Sequence, residues 1–346
     1  MADPYEFLMC IHNPEEDTLT RNFPIPATPL DQNTKDISLN PDRKTSLRIF
    51  RPPTKEPPVT KNKLLPIIIY FHGGGFILFN ADSTMNHDFC QSIATHIPAL
   101  VVSVDYRLAP ENRLPAAYDD AVDALNWVKD QGLGKLNNSE VWLKEYGDFS
   151  KCFIMGCSSG ANVAYHASLR AIEMDLEPAK INGLILHCPF FGSLERTESD
   201  SKVINNQDLP LAVRDVMWEL ALPLGSTRDH VYCNPNIDHD GSSSGNMVGL
   251  IERCFVVGFY GDPLIDRQIQ LVKMLEEKGV KVETWIEQGG ILNCLAQLYA
   301  KDITVDDNHE LYVPLQRERE DWDSVIEVVG SLVTLTVALE PGFDYC

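Results

Sequence analysis

Phe153-Ile154-Met155-Gly156-Cys157-Ser158-Ser159-Gly160-Ala161-Asn162 is the stretch whose reading decides the fold. A short apolar run enters Gly156-x-Ser158-x-Gly160 and continues into Val163-Ala164-Tyr165-His166-Ala167, a helix-compatible segment. Strand, tight turn and helix, in that order, are what a nucleophile elbow requires. The two glycines let the backbone turn sharply, so Ser158 can be held in a strained conformation with its hydroxyl exposed at the sheet edge. The N–H of Ser159 then points at the same spot, beside the positive end of the helix.

Outward from the elbow the chain alternates apolar runs with helix-period segments. Leu64 to Phe71 is a continuous apolar run, which suits a strand buried on both faces. Further strands are expected at Leu100 to Tyr106, Ile181 to His187, Cys254 to Gly258 and Val280 to Trp285. Helices are expected at Asp88 to His96, Pro115 to Asp130, Ala161 to Met174 and Gln268 to Lys278. Such alternation implies an α/β fold, a mostly parallel sheet with right-handed crossovers and helices on both faces. Its reactive loops gather beyond the C-terminal strand ends. Residues 1–50 read as an N-terminal cap, with a helix end and hairpin around Asn13-Pro14-Glu15-Glu16-Asp17 and a strand at Ser46 to Arg51. Residues 190–248 break the alternation, carry a helical piece at Leu211 to Leu222, and read as an inserted cap.

His72-Gly73-Gly74-Gly75-Phe76 follows the first buried strand directly. Three glycines leave the backbone N–H groups unshielded, so a developing oxyanion can approach Gly73 and Gly74 closely. No Walker lysine or dinucleotide spacing follows. Asp262 stands after the strand ending near Gly258, in the chain order Ser…Asp…His that this fold uses. Asp266 is the runner-up for that place, and an Asp-Pro turn is the plain structural alternative.

These stretches together resemble the plant carboxylesterase branch of the hormone-sensitive-lipase-like α/β-hydrolases. The resemblance rests on Tyr70 to Phe76, Val104-Asp105-Tyr106-Arg107-Leu108-Ala109-Pro110-Glu111, Leu114 to Asp120, the elbow, and Gly261 to Asp266, and it runs over residues 1–290. It implies Ser158 as nucleophile, with Gly73, Gly74 and Ser159 supplying oxyanion N–H groups and Asp262 as the acid that orients a histidine. It implies no metal and no cofactor, and the apolar cap residues Phe190, Phe191, Trp218 and Leu222 point to a small, partly apolar ester as substrate. Asp105, Tyr106 and Arg107 are expected to brace the loops, and Cys157 stands where relatives carry Asp or Glu.

The chain departs from that family after Gly290. The family's histidine falls about thirty residues after the aspartate, and this position is Leu292, which accepts no proton. Residues 291–346 no longer resemble the family and hold one histidine, His309. Three readings stay open: a shifted frame or splice boundary near residue 291, a base supplied by His309, or a hormone-like small-molecule receptor on the same fold. The gibberellin receptors resemble this family and replace the histidine with an apolar residue, but His72-Gly73-Gly74-Gly75 sides with the esterases.

Composition narrows the remaining classes. With 50 acidic against 29 basic residues in 346, the net charge is −21, which disfavours nucleic acid and anionic membrane as partners. The nine cysteines are odd in number and scattered, without a C-x-x-C pair, so neither a disulfide framework nor a zinc site is expected. The N-terminus lacks a basic region followed by an apolar core, and a reducing cytoplasmic setting is the expectation.

Overall fold

The computed structural model describes residues 3–22, 25–53, 64–135, 140–202, 209–237 and 248–288, with two short strands at Thr304–Val305 and Leu311–Tyr312. An eight-stranded sheet forms the centre, in the order β10-β9-β8-β7-β5-β6-β4-β3. Its strands are β3 (Thr34–Asn40), β4 (Thr45–Phe50), β5 (Leu65–Phe71), β6 (Leu100–Asp105), β7 (Gly147–Cys157), β8 (Ile181–His187), β9 (Arg253–Tyr260) and β10 (Lys281–Gln288). From β6 to β10 every pairing is parallel, whereas β4 runs antiparallel to both β6 and β3.

The parallel part is dictated by residue type. Ile67, Ile68 and Ile69 are fully buried, as are Val101 and Val102 beside them, so both faces of the sheet need a layer of helices. Helices Thr84–His96, Ala116–Gly132, Ser159–Ala171 and Ile265–Glu277 supply those layers. Ser158 directly follows β7, the strand between β5 and β8. Phe71 pairs with Gly156 and Cys157 with His187, which brings three loops to one edge.

The expected N-terminal cap is shorter than residues 1–50. Thr34–Asn40 and Thr45–Phe50 are the outer strands of the main sheet, because Leu47, Ile49 and Phe50 are completely buried and pair with β6. What remains as cap is the helix Pro4–Phe7 and the hairpin of β1 (Cys10–Asn13) and β2 (Thr18–Arg21). The inserted segment contributes helix Leu211–Ala221, on which Met217, Trp218 and Leu220 are buried. The Gly/Ser-rich tract of that insertion lies outside the described residues, as do Leu292 and His309.

A cavity of about 340 Å³ opens at the starts of β8 and β9, lined among others by Ile172, Met174, Lys180, Leu184 and Arg253. It is at the opposite end of the sheet from Ser158 and plays no part in the site. Among the described residues no helix is long and apolar enough to cross a membrane.

Candidate active site

Ser158 has φ 52 and ψ −119, a left-handed conformation that an L-residue keeps only when its surroundings force it. The forcing is local. A Cβ on Gly156 would overlap the carbonyl oxygen of Gly160, and one on Gly160 would overlap that of Phe71. Strand, elbow and helix are therefore pressed together at a spacing that only glycine permits. The Ser158 N–H donates to the His187 carbonyl at 2.9 Å, and the Ser158 carbonyl accepts from the Phe190 N–H at 3.0 Å. Ser159 opens the helix, so its N–H belongs to the first turn, where no intrahelical acceptor exists.

The glycine loop lies against this elbow. A Cβ built on Gly73 would stand 3.4 Å from the Ser158 Cβ and 3.2 Å from the Cys157 carbonyl oxygen. Gly74 has φ +117, and a side chain there would overlap the Leu78 carbonyl and lie 2.7 Å from the Phe79 ring. Phe76 and Phe79 also sit at positive φ, 67 and 69, which costs on the order of 1–3 kcal/mol each. Braces hold the loop in this state. Tyr106 Oη donates to the His72 carbonyl at 2.7 Å, and the Asp105 carboxylate accepts from the Ala81 N–H at 3.1 Å. Arg107 forks onto the buried Asp120. Asp105, Tyr106 and Arg107 thus act on loops, as expected from sequence.

Asp262 follows β9 and is completely buried. Its carboxylate accepts from the Leu264 N–H at 2.8 Å and from Gln268 Nε2 at 2.9 Å. Burial raises its pKa, while those two donors and the Cys188 thiol favour the ionised form and pull it back. Cys188 directly follows His187, whose carbonyl holds the Ser158 N–H, so one residue step connects the acid to the elbow. One strand, β8, lies between β7 and β9, so two strand spacings separate them, roughly 10 Å. That gap needs a bridging group for a proton to pass, which is the place an imidazole takes in a Ser-His-Asp array. Asp266, the runner-up, instead accepts from the Ser199 N–H at 2.6 Å and fastens the inserted segment.

Among the described residues no histidine hydrogen-bonds the Ser158 hydroxyl or the Asp262 carboxylate. His72 stacks on Tyr106 with 4.3 Å between ring centroids, and burial lowers its pKa. His187 is pushed down to about 4 by burial, and His166 to about 3 by burial and Arg170. All three are neutral packing residues at pH 7. Among the described residues seven cysteines are buried and outside any disulfide, Cys157 and Cys188 among them. Among the described residues no cluster of His, Cys, Asp and Glu could hold a metal ion.

Helix Leu211–Ala221 roofs the elbow. Met217 fills the space over Gly75, and Trp218 stacks on Phe190 at 4.8 Å and meets Phe76 at 5.2 Å. One turn earlier, Arg214 pairs with Asp200 at 2.5 Å and reaches toward the Pro263 carbonyl. The apolar cap residues singled out from sequence, Phe190, Phe191, Trp218 and Leu222, are all buried here. Gln268 and Cys188, the two side chains on Asp262, were missed. Gln268 is six residues after the aspartate, reachable only because the helix begins at Ile265, three residues earlier than its apolar period indicates.

Comparison with known proteins agrees with this architecture. Residues 68–323 match the family described as alpha/beta hydrolase fold. The chain is 91% identical over 290 residues to the 3-O-acetylpapaveroxine carboxylesterase of Papaver somniferum, covering 84% of this chain and 93% of that one. It is 44% identical over 295 residues to probable carboxylesterase 8 of Arabidopsis thaliana, covering 85% and 88%. A gibberellin receptor of Arabidopsis thaliana is 36% identical over 227 residues, covering 65% of this chain and 59% of the receptor. Among solved structures, an esterase of Pyrobaculum calidifontis superimposes with a TM-score of 0.66 at 21% identity, covering 91% of this chain and 87% of that one, a likeness of fold. On the matched residues and the 91% relative, the chain belongs to the α/β-hydrolase fold family, on the branch that holds the plant carboxylesterases.

Proposed function

We propose that this protein is a carboxylic ester hydrolase that works through an acyl-serine intermediate at Ser158. The observation that carries the reading is the strained Ser158, at φ 52, packed against the bare backbone of Gly73. Attack by its Oγ on an ester carbonyl places negative charge on the carbonyl oxygen, and the N–H groups of Gly73, Gly74 and Ser159 are the donors for it. Asp262 orients and stabilises the group that takes the Ser158 proton. Leu292, at the family's histidine position, offers no acceptor, and His309 is a candidate for that step, to be tested by replacing it. The alcohol then leaves, and water releases the acid by the reverse sequence. Every step runs on side chains and backbone amides, so no cofactor enters, and a reducing cytoplasmic compartment suits the free thiols.

The substrate class follows from the roof and from the near relative. Trp218, Phe190 and Phe76 form an aromatic wall on the oxyanion side. The 91% relative is named for an O-acetyl ester. We therefore assign a small acyl group, acetyl first, on a bulky aromatic alcohol. Initial rates on 4-nitrophenyl acetate and 4-nitrophenyl decanoate test the acyl part: kcat/KM should favour acetate by at least about 10-fold. Equal rates on both would remove the small-acyl assignment. Binding of a ligand without turnover would favour the receptor reading, but the identity pattern lies with the esterases.

Asp262→Asn separates a catalytic acid from a turn residue. Turnover should fall by about 10⁴, the loss seen when such an acid no longer fixes the base. Stability should behave oppositely. A carboxyl whose folded pKa lies above its unfolded one contributes stability at low pH and loses it as pH rises through the folded value. Asp262 is of that kind, so this component of the parent's stability declines upward from about pH 4. The asparagine variant removes that slope. Its amide can still accept from Leu264, and rotating Gln268 turns the unpartnered Oε1 toward the new N–H. Thermal melts from pH 4 to 8 and kcat at pH 7.5 check both; a variant that loses stability and keeps turnover would make Asp262 a turn residue.

A further inference from the structure

The strained glycine loop is gripped from outside by a residue of the N-terminal hairpin. Arg21, the last residue of β2, donates from Nε to the Ile77 carbonyl at 2.6 Å and from Nη2 to the Ala109 carbonyl at 2.8 Å. Nη1 reaches the Leu19 carbonyl at 2.9 Å, and both terminal nitrogens fork onto Glu111 at 3.0 and 2.8 Å. A guanidinium has five N–H groups, and these five bonds use them all. Two of the acceptors bracket the oxyanion loop. Ile77 closes its turn, with its N–H on the Gly74 carbonyl at 3.1 Å, and Ala109 donates its N–H to the Phe76 carbonyl at 2.9 Å. Arg21 therefore ties together the two chain segments between which Gly74, Gly75 and Phe76 keep positive φ.

We propose that Arg21 is a positioning residue for the oxyanion loop, holding Gly73 and Gly74 at the distance where their N–H groups meet the developing charge. A loop that holds Phe76 and Phe79 at positive φ relaxes unless its surroundings over-determine it. Sterics from Met217 press on Gly75 from one side, but only hydrogen bonds fix where the carbonyls of residues 77 and 109 point. The hairpin's other clasp is separate: Arg113 holds Asp17 at 2.6 Å and the carbonyls of Glu219 and Leu222, and touches none of the loop. One hairpin thus has a tether that reaches the loop and a tether that does not. This contrast makes the role measurable.

The inference rests on the esterase reading, and the experiment keeps the two apart. The full chain and its Arg21→Met and Arg21→Lys variants are assayed on 4-nitrophenyl acetate and by the rate at which a fluorophosphonate labels Ser158, a phosphonylation that forms the Oγ–P bond, expels fluoride and needs the same oxyanion donors. Arg21→Met should lower kcat and the labelling rate together by about 10- to 100-fold, part of what losing an oxyanion donor costs, with KM within about twofold. Arg21→Lys, a point charge without the fork, should fall between. Asp17→Ala, which cuts only the other clasp, should melt earlier and keep its kcat. Parent-like kcat and labelling in folded Arg21→Met, or an equal fall in Asp17→Ala, would overturn the proposal. Should Arg21→Met not fold, Arg21→Lys becomes the test, because a single ammonium cannot reproduce the fork that bonds the Ile77 and Ala109 carbonyls together. That variant should lose several-fold in kcat, and an unchanged kcat would overturn the proposal equally. A parent that neither turns over nor labels ends the esterase reading and this inference with it, whereas an active parent indifferent to residue 21 ends this inference alone.

Discussion

Ser158→Ala should fold like its parent and lose ester turnover, and the size of the loss measures the machinery around it. In an assembled Ser-His-Asp array, removing the serine costs about 10⁶ in kcat. The oxyanion donors and binding alone leave roughly 10³–10⁴ over water. A parent-to-variant ratio near 10⁶ therefore means that a base takes the serine's proton, with His309 as the group to replace next. A ratio of about 10² or less means that the hydroxyl works without one, as Leu292 at the family's histidine position implies. Alanine keeps the φ of 52 under the same pressure from Gly156 and Gly160, so the melting temperature should stay within a few degrees. Undiminished hydrolysis by the variant would place the reaction elsewhere.

Gly74→Ala should be a severely damaging single-atom change in the oxyanion loop. The added methyl meets the Leu78 carbonyl and the Phe79 ring, and φ +117 is a conformation alanine strongly resists. Neither neighbour is the free end of a flexible chain, so the loop must move, and the amides of residues 73 and 74 move with it. Removing one oxyanion donor costs about 10²–10³ in kcat, and displacing both should reach at least that. KM should change much less, because the donors act on charge that exists only in the transition state. Steady-state kinetics with a melting curve check this. A variant with parent-like kcat would show that the loop's amides are not the donors.

The sequence carried the centre of this molecule and lost its edges. The parallel strands were legible because isoleucine and valine runs at 67–69 and 101–102 have only one use, burial on two faces. The elbow and the glycine loop were legible because close backbone approach leaves no substitute for glycine at 156, 160 and 74. Strand β3 was missed: Thr34-Lys35-Asp36-Ile37-Ser38-Leu39-Asn40 is an edge strand, paired on one side, and its burial is too slight to write an apolar pattern. Arg21 and Arg113 escaped for a different reason. Their acceptors are mostly backbone carbonyls, 56 to 109 residues away, and a carbonyl leaves no mark on the side-chain code. Cys188 was passed over as one of nine scattered thiols, although the carboxyl it touches had been singled out.

The contact between Gly160 and the Phe71 carbonyl has a bearing on how this site can be altered by selection. The turn that carries the hydroxyl and the strand that feeds the glycine loop share one wall, one atom thick. A change that shifts either half is transmitted to the other at full amplitude, without a compliant side chain between them. New substrate ranges should therefore arise through the roof, at Met217, Trp218 and their neighbours, while substitutions in the floor would be recovered from a library only as mutually correcting pairs.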